Sequence, residues 1–216
     1  MDQYRGWKDI EQSQITSVET TDLEGRLQEA APARDQLETA ARDQENQIDV
    51  KGFEGSGVMR NEEVSHYLAD NLPANHLRGD RITRIQYADR FDGDHEGNTL
   101  GVCRTNPATG VSDIQINRQT PEGSMDRHMM EHTLVHEVGH NVFYNMGEHN
   151  ISTWEQISAN SAPDGYVSNY ARTNMHEDFA ESYAAYVRDP ALLQEVNPQK
   201  YAFLKQSVFG GREYGY

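Results

Sequence analysis

The chain has 216 residues, with 19 Lys or Arg against 35 Asp or Glu, so its formal net charge is −16 at pH 7. This acidic balance argues against nucleic acid and anionic membranes as partners, because surfaces that bind them are basic, and it suits a basic substrate better. The length favours one domain with an N-terminal extension, and we predict an arm and linker over residues 1–57 and a domain over residues 58–216.

Nothing in the sequence predicts an export signal or a membrane span. The first residues, MDQYRGWKDIEQSQ, lack the apolar core of a signal peptide. No run approaches the roughly 18 apolar residues of a membrane helix. The single cysteine, Cys103, cannot form a disulfide within the chain, which suits a reducing compartment. We therefore leave localisation open: secretion or delivery to a target cell would need a dedicated system or an upstream region.

The N-terminal arm is polar and predicted to be helical. Residues 22–47 contain helix-forming residues but few large apolar ones, and Pro32 divides them into two short predicted helices. This composition favours a solvated arm. The functional alternative is a segment that docks on a delivery, immunity or other protein partner. The stretch KGFEGSG, residues 51–57, is typical of a linker.

The domain begins with predicted elements of mixed type. Apolar residues at helical spacing predict a helix over residues 61–71. The acidic stretch FDGDHEGN, residues 91–98, only faintly resembles a calcium loop, because Cys103 stands where the closing Glu is required, so we predict a plain acidic turn. Three short strands are predicted from their apolar alternation, over residues 82–87, 99–104 and 111–117.

The most informative stretch is DRHMMEHTLVHEVGHNVFYNMG, residues 126–147, which predicts a buried helix ending near Gly147. It contains HEVGH, residues 136–140, an H-E-x-x-H motif. Residues four apart on a helix are about 40° apart around the axis and about 6 Å apart along it, so both imidazoles can reach one metal ion. Glu137 lies beside them, where it can take a proton from metal-bound water. This pattern is typical of zinc hydrolases, and the alternative is a histidine pair that simply faces water.

A catalytic zinc usually has three protein ligands and one open position, so His136 and His140 need a partner. The longer pattern H-E-x-x-H-x-x-G-x-x-H is excluded, because Phe143 and Met146 stand where it requires Gly and His. A downstream carboxylate is needed instead. The candidates are Glu148, Glu155, Glu177, Asp178 and Glu181.

Glu177 and Glu181 form the favoured pair among these carboxylates. They are four residues apart in a second predicted helix, residues 175–187, and therefore share a face. One of them can bind the metal while the other orients a ligand histidine as a hydrogen-bond acceptor. Glu155 is the alternative, and it lies in a Ser- and Asn-rich stretch, residues 149–170, that we predict to be mainly loop.

The stretch YARTNMHEDFAESYAAY, residues 170–186, together with the upstream HEVGH, resembles the zinc peptidases related to anthrax toxin lethal factor and the Pro-Pro endopeptidases. The resemblance covers about residues 58–210 and leaves out the arm. In that family the third ligand is the first Glu of an E-x-F-A-E-like stretch, which implies Glu177 here, and the second Glu, here Glu181, orients a ligand histidine. A Tyr seven residues before the ligand stabilises the oxyanion, which implies Tyr170.

We therefore expect an α+β, zincin-like metallopeptidase domain with a small mixed β-sheet, an HExxH active-site helix and a C-terminal helical part that carries the third ligand. The expected function is hydrolysis of peptide bonds in a protein substrate with Zn2+, Glu137 acting as base and Tyr170 as oxyanion donor. Tyr166 is the competing phenol.

The resemblance also implies a toxin or effector. The rivals are a zinc amidase or peptidase acting on cell-wall peptides and a non-enzymatic, metal-dependent binding module. Three further histidines are expected to be structural: His128, His132 and His176.

Overall fold

The computed structural model describes residues 48–88, 99–117, 125–161 and 163–213. Within them the chain has an α+β fold with one small mixed sheet and six α-helices. The helices predicted in residues 22–47 and the acidic turn at residues 91–98 lie outside the described residues. The division of the chain into an arm and a domain stays a prediction.

Four strands form the sheet: β1 (Asp49–Lys51), β2 (Ile82–Ala88), β3 (Gly101–Thr105) and β4 (Ser112–Asn117). Their order is β1-β2-β4-β3. Strand β2 pairs in parallel with β1 and β4, whereas β3 pairs antiparallel with β4. The three predicted strands are confirmed to within two residues at their ends. Strand β3 lies at one edge of the sheet, and one of its faces packs against the helix that contains HEVGH.

The segment predicted as a linker, residues 51–57, packs on the core instead. Its first residue ends β1, and Phe53 is completely buried with its ring centroid 5.5 Å from that of Tyr87. Gly52 has a φ of 82°, and a Cβ there would lie 2.5 Å from the carbonyl oxygen of Tyr87. The glycine that suggested a flexible linker is therefore required by a tight turn against the sheet.

The six helices are α1 (Asn61–Asn71), α2 (Arg127–Asn145), α3 (Glu148–Ala159), α4 (Met175–Arg188), α5 (Pro190–Val196) and α6 (Pro198–Phe203). Helices α1, α2 and α4 confirm the predicted ones. Helices α2 and α4 begin at polar caps that satisfy free backbone N–H groups: Asp126 accepts from the N–H of Met129, and Asn174 accepts from those of His176 and Glu177. None of the helices in the described residues is long and apolar enough to cross a membrane.

The prediction of a loop over residues 149–170 is wrong for its first part, where α3 lies. Its polar side chains do not interrupt the helix, because they bond to its own backbone: the Thr153 hydroxyl donates to the His149 carbonyl over 2.9 Å. Trp154 anchors the helix, since it is completely buried and its indole N–H donates to the Met175 carbonyl over 3.1 Å. Ile151 and Ile157 also pack on the core, but three apolar residues among polar ones are too short a periodic signal to outweigh the loop-like composition.

The hydrophobic core lies between the sheet and helices α2 and α4. Helix α2 packs on β3 and β4 with one face and on α4 with another. This double contact explains why almost every residue over two turns of α2 is buried, including the polar ones. The apolar residues that it contributes are Met130, Leu134, Val135, Val138, Val142 and Phe143.

One histidine, His76, belongs to this core. It is 4% exposed, and its Nδ1 lies 2.8 Å from the hydroxyl of Tyr183. The other ring nitrogen bonds to the backbone of Val208. A neutral ring satisfies both contacts, accepting from the tyrosine and donating to the carbonyl. Burial, together with nearby Arg81, lowers the pKa of His76 from 6.5 to about 4, while the bond to Val208 opposes the shift.

We predict that His76 makes the domain less stable as the pH falls through the range from about 6.5 to about 4. The unfolded chain takes up a proton at His76 below its ordinary pKa, while the folded chain resists protonation, so the contribution is complete above that pKa and is lost as the pH falls towards the folded pKa. Between pH 7.5 and pH 5, this loss amounts to about 2 kcal/mol. Urea unfolding of the parent and of His76→Gln, in the presence of a chelator, measures it. The variant should lose correspondingly less over the same interval, and equal losses in the two proteins would contradict the assignment.

Candidate metal centre

Helices α2 and α4 bring two imidazoles and one carboxylate to a single point. The Nε2 atoms of His136 and His140 lie 3.0 Å apart. Glu177 Oε2 lies 3.1 Å from the first and 3.2 Å from the second. The three atoms thus form a nearly equilateral triangle, built from two consecutive turns of α2 and the first turn of α4. These are the residues that the sequence predicted as metal ligands.

The triangle fits a zinc ion in size and in chemistry. Tetrahedral zinc with bonds of about 2.0–2.2 Å separates its ligand atoms by about 3.3 Å, close to the observed edges. Glu177 Oε2 is buried and has no hydrogen-bond partner, because the imidazole nitrogens near it lie in ion-pair range but not in hydrogen-bond geometry. A buried oxygen without a partner is unfavourable unless a ligand satisfies it. Two imidazoles and one carboxylate are also a donor set of catalytic zinc sites.

The electrostatics of the triangle favour a positive charge within it. Burial alone would lower the pKa of His136, but its contacts with Glu177 and Glu181 raise it to about 10. Burial alone would raise the pKa of Glu177, but the two imidazoles hold it at about 2. Buried carboxylates that hold a proton on an imidazole would equally stabilise a divalent cation at the same place.

Glu137 lies beside the triangle but belongs to neither group of residues that could hold a metal ion in the described part of the chain. It is 4% exposed, and burial raises its pKa while His136 and His140 oppose the shift. The backbone N–H of Cys103 on β3 donates to its carboxylate. A carboxylate with a raised pKa, next to the bound metal, is suited to accept and return a proton near neutral pH.

The close approach of β3 to α2 depends on Gly101, which the sequence analysis did not single out. A Cβ at this position would collide with the carboxylate of Glu137 and with the methyl group of Thr133. Any larger residue would have to displace the buried Glu137 side chain. The need for glycine comes from the packing of β3 on α2. It could not be predicted from the sequence, because a lone glycine at the start of a strand carries no signal there.

Tyr170 lies at the start of a 3-10 turn, Tyr170–Arg172, that precedes α4. Its ring centroid is 5.9 Å from that of His136, and 55% of the residue is exposed. Burial of its hydroxyl and the charge of Glu177 raise its pKa to about 12, so the phenol keeps its proton and can donate it in a hydrogen bond. The competing Tyr166 is engaged elsewhere, because the Lys200 ammonium lies 4.1 Å from its ring centroid.

Glu181 supports the triangle from the outside. Its Oε1 accepts a hydrogen bond from His136 Nδ1 over 2.8 Å, which leaves His136 Nε2 free for a metal. The Nε2 of His132 lies 2.9 Å from the same oxygen, so this histidine is part of the site although the sequence analysis treated it as structural. The other two histidines have different partners, since His128 contacts Arg188 and His176 packs against Phe143.

The remaining carboxylate candidates lie outside these contacts. Glu155 is exposed on α3, and Glu148 is exposed in the first turn of the same helix. Asp178 is completely buried on α4 and faces different partners, since it pairs with Lys200 and accepts from the hydroxyl of Ser158 over 2.7 Å. Among the described residues, Glu177 and Glu181 are therefore the two of the five candidates that contact the motif histidines.

A comparison with known families agrees with this chemistry. The model of a family described as "Putative zinc-binding metallo-peptidase" matches residues 110–199, a span that includes the HEVGH motif, Tyr170, Glu177 and Glu181. No curated protein matches the chain. The chain is thus similar to zinc metallopeptidases over the helices that carry these residues, and the match supports a metal-dependent peptidase. It does not extend to the narrower group around lethal factor and the Pro-Pro endopeptidases.

We predict that the full-length protein binds about one zinc ion per chain and that Glu177 is required for it. Glu177→Ala removes one of three ligands and should weaken zinc binding as strongly as His140→Ala does. Glu155→Ala is the matched control, because it deletes an exposed carboxylate of the same type. Competition with a chromogenic chelator gives the zinc dissociation constants. If Glu155→Ala emptied the site and Glu177→Ala did not, the third ligand would be misassigned.

Proposed function

We propose that this protein is a zinc-dependent endopeptidase with a zincin-like domain. The observation that carries the proposal is the convergence of His136, His140 and Glu177 beside the buried carboxylate of Glu137 and the hydroxyl of Tyr170. Zinc held by the first three residues would polarise a substrate carbonyl and lower the pKa of a coordinated water. Glu137 and Tyr170 would carry the other two roles, transfer of the proton and stabilisation of the oxyanion.

Glu137 is proposed to move the proton. Its carboxylate is held by the backbone N–H of Cys103, and burial raises its pKa towards the range in which a base works near neutral pH. It can take the proton from the attacking water and deliver it to the nitrogen of the leaving amine. Because the carboxylate does not coordinate the metal in this scheme, it stays free to exchange that proton.

Tyr170 is proposed to stabilise the oxyanion. Attack on a peptide carbonyl develops negative charge on the carbonyl oxygen, and a fixed phenol donor near that oxygen lowers the barrier. The hydroxyl interacts with Glu177, and its raised pKa keeps the proton in place. The half-exposed ring lies where a substrate can reach it.

The surroundings of the site suit an extended polypeptide. One cavity, about 460 Å3 in volume, is lined by Leu100, Gly101 and His132, and a second, about 530 Å3, is lined by Thr105 and Tyr144. Both cavities include His136, Glu137 and Tyr170. The edge strand β3 borders both and can pair with an extended peptide. Two cavities that share these residues leave room for an extended chain, which favours cleavage within a chain over removal of a terminal residue.

Three narrower proposals come from the sequence. The resemblance to lethal factor and its relatives supports action as a toxin or effector, delivered out of the producing cell. The acidic charge of −16 supports a basic protein substrate, and the polar N-terminal arm supports a docking, delivery or immunity partner.

The base is tested by Glu137→Gln, which keeps the size of the side chain but removes the proton acceptor. The variant should bind zinc like the parent and lose nearly all turnover. Steady-state cleavage of a casein-like protein, next to release of peptides from purified peptidoglycan, measures activity and separates a protein substrate from cell-wall peptides. Turnover close to that of the parent in Glu137→Gln would exclude the proposed mechanism.

The oxyanion donor is tested by Tyr170→Phe, which removes one hydroxyl group. Since the lost hydrogen bond belongs to the transition state, kcat should fall by roughly 10²–10³-fold with little change in KM or zinc content. Tyr166→Phe is the matched control, because its hydroxyl donates to the carbonyl of Ser158 instead. Equal losses in the two variants would assign both hydroxyl groups to packing.

A further inference from the structure

We propose that His132 is a positioning residue, which orients the metal ligand His136 by holding Glu181. The proposal rests on the zinc site of the proposed function and extends it beyond the motif. His132 lies one turn before His136 on α2, so the two rings project from the same face of the helix, with their centroids 6.2 Å apart.

The central observation is that two imidazoles meet at one carboxylate oxygen. Glu181 Oε1 lies 2.8 Å from His136 Nδ1 and 2.9 Å from His132 Nε2. A carboxylate oxygen is only an acceptor, so both nitrogens carry the hydrogen and both donate. When His132 donates to one lone pair of Oε1, this oxygen is held in place. Its other lone pair then accepts from His136 in a fixed direction.

The two donors, His136 and His132, differ in how far their side chains are exposed to solvent. The side chain of His136 is 8% exposed, whereas that of His132 is 38% exposed. His132 also lines both the cavity next to the metal ligands and a neighbouring cavity of about 580 Å3, which includes Ser168 and Glu181. Solvent therefore reaches the ring of His132, while the side chain of Glu181 beside it is only 8% exposed.

A second metal ion at the same three residues is the competing explanation. His132, His136 and Glu181 have ligand atoms within 4.8 Å of one another, as a metal site requires. This alternative requires His136 to bind a metal through each of its nitrogens, which means loss of both ring protons. Two hydrogen bonds to one carboxylate satisfy the same atoms without that cost.

The experiment compares zinc dissociation constants of full-length variants, measured by chelator competition. His132→Phe keeps a ring but removes the N–H group, and it should weaken zinc binding on the order of 3- to 10-fold, less than the 10–100-fold typical of removing a direct partner of a ligand. His132→Gln places an N–H group near the position of Nε2 and should restore binding, whereas the shorter His132→Asn should not. His128→Phe is the matched control, because the same residue type one turn earlier contacts Arg188 instead.

Two further measurements separate positioning from packing. In a Glu181→Ala background, His132→Phe should cause no additional loss of zinc affinity, because its partner is absent. The visible spectrum of the cobalt-substituted protein should change in His132→Phe and return in His132→Gln. Equal affinities in His132→Phe and the parent, equal losses in His132→Gln and His132→Asn, or additive losses with Glu181→Ala would overturn the proposal. So would a second equivalent of zinc that His132→Phe removes.

Zinc affinity is measured without a substrate, so a failure of the proposal for His132 can be distinguished from a failure of the proposed peptidase function. A parent protein that binds zinc but cleaves nothing would count against the peptidase. An unchanged affinity in His132→Phe would count against His132 alone.

Discussion

The candidate site depends on how closely helices α2 and α4 approach each other. Gly139, inside the HEVGH motif, lies at their contact, and a Cβ there would be 3.2 Å from the Cα of Ala180 and 3.2 Å from the ring of Tyr183. A glycine within a helix costs about 1 kcal/mol relative to alanine. Here it allows the two backbones to approach until Glu177 and Glu181 reach the motif histidines. Larger residues at the contact would separate the ligands on one helix from those on the other.

The charges of the site are arranged around the same contact. Three carboxylates lie close together, and each has its own compensation: Glu177 faces the two ligand imidazoles, Glu181 accepts from His132 and His136, and Glu137 is bonded by a backbone N–H. So much negative charge in a buried place is unfavourable without a cation. The buried histidine whose pKa is raised to about 10 is the direct sign of this demand.

Helix α4 is fixed from its other side by an independent pair. Asp178, which follows the proposed ligand Glu177, is completely buried, and so is its partner Lys200 on α6. The Lys200 ammonium also donates to the carbonyl of Gly165, in the segment that leads to Tyr170. Breaking a buried ion pair by removing one member is strongly destabilising. The pair therefore holds both the helix that carries Glu177 and the approach to Tyr170, without touching the reacting groups.

The parts of the site that could be predicted from sequence are those that local helix geometry determines. The spacing of His136 and His140, and that of Glu177 and Glu181, needs only the helical repeat, while Tyr170 was placed by resemblance alone. The role of Gly101 could not be predicted, because it requires knowing that an edge strand passes over Glu137. The fold shows the same division. Regular apolar spacing predicted α1, α2 and α4. Helix α3 has only three core-facing apolar residues, Ile151, Trp154 and Ile157, and polar side chains that bond to their own helix, so its composition assigned it to a loop.

The position of His132 on α2 could be predicted from the helical repeat, but its contact with Glu181 could not. Counting residues on α2 places His132 on the face of His136, but the helical repeat alone does not say what lies opposite that face. Glu181 lies opposite, on a helix that begins more than forty residues later in the chain, and its oxygen accepts from both rings. A positioning residue can be recognised only when the structure shows both the residue that it contacts and the residue that this contact orients. The groups that touch a metal or a substrate can be read from spacing, whereas the groups that hold them in place depend on the packing of α2 against α4.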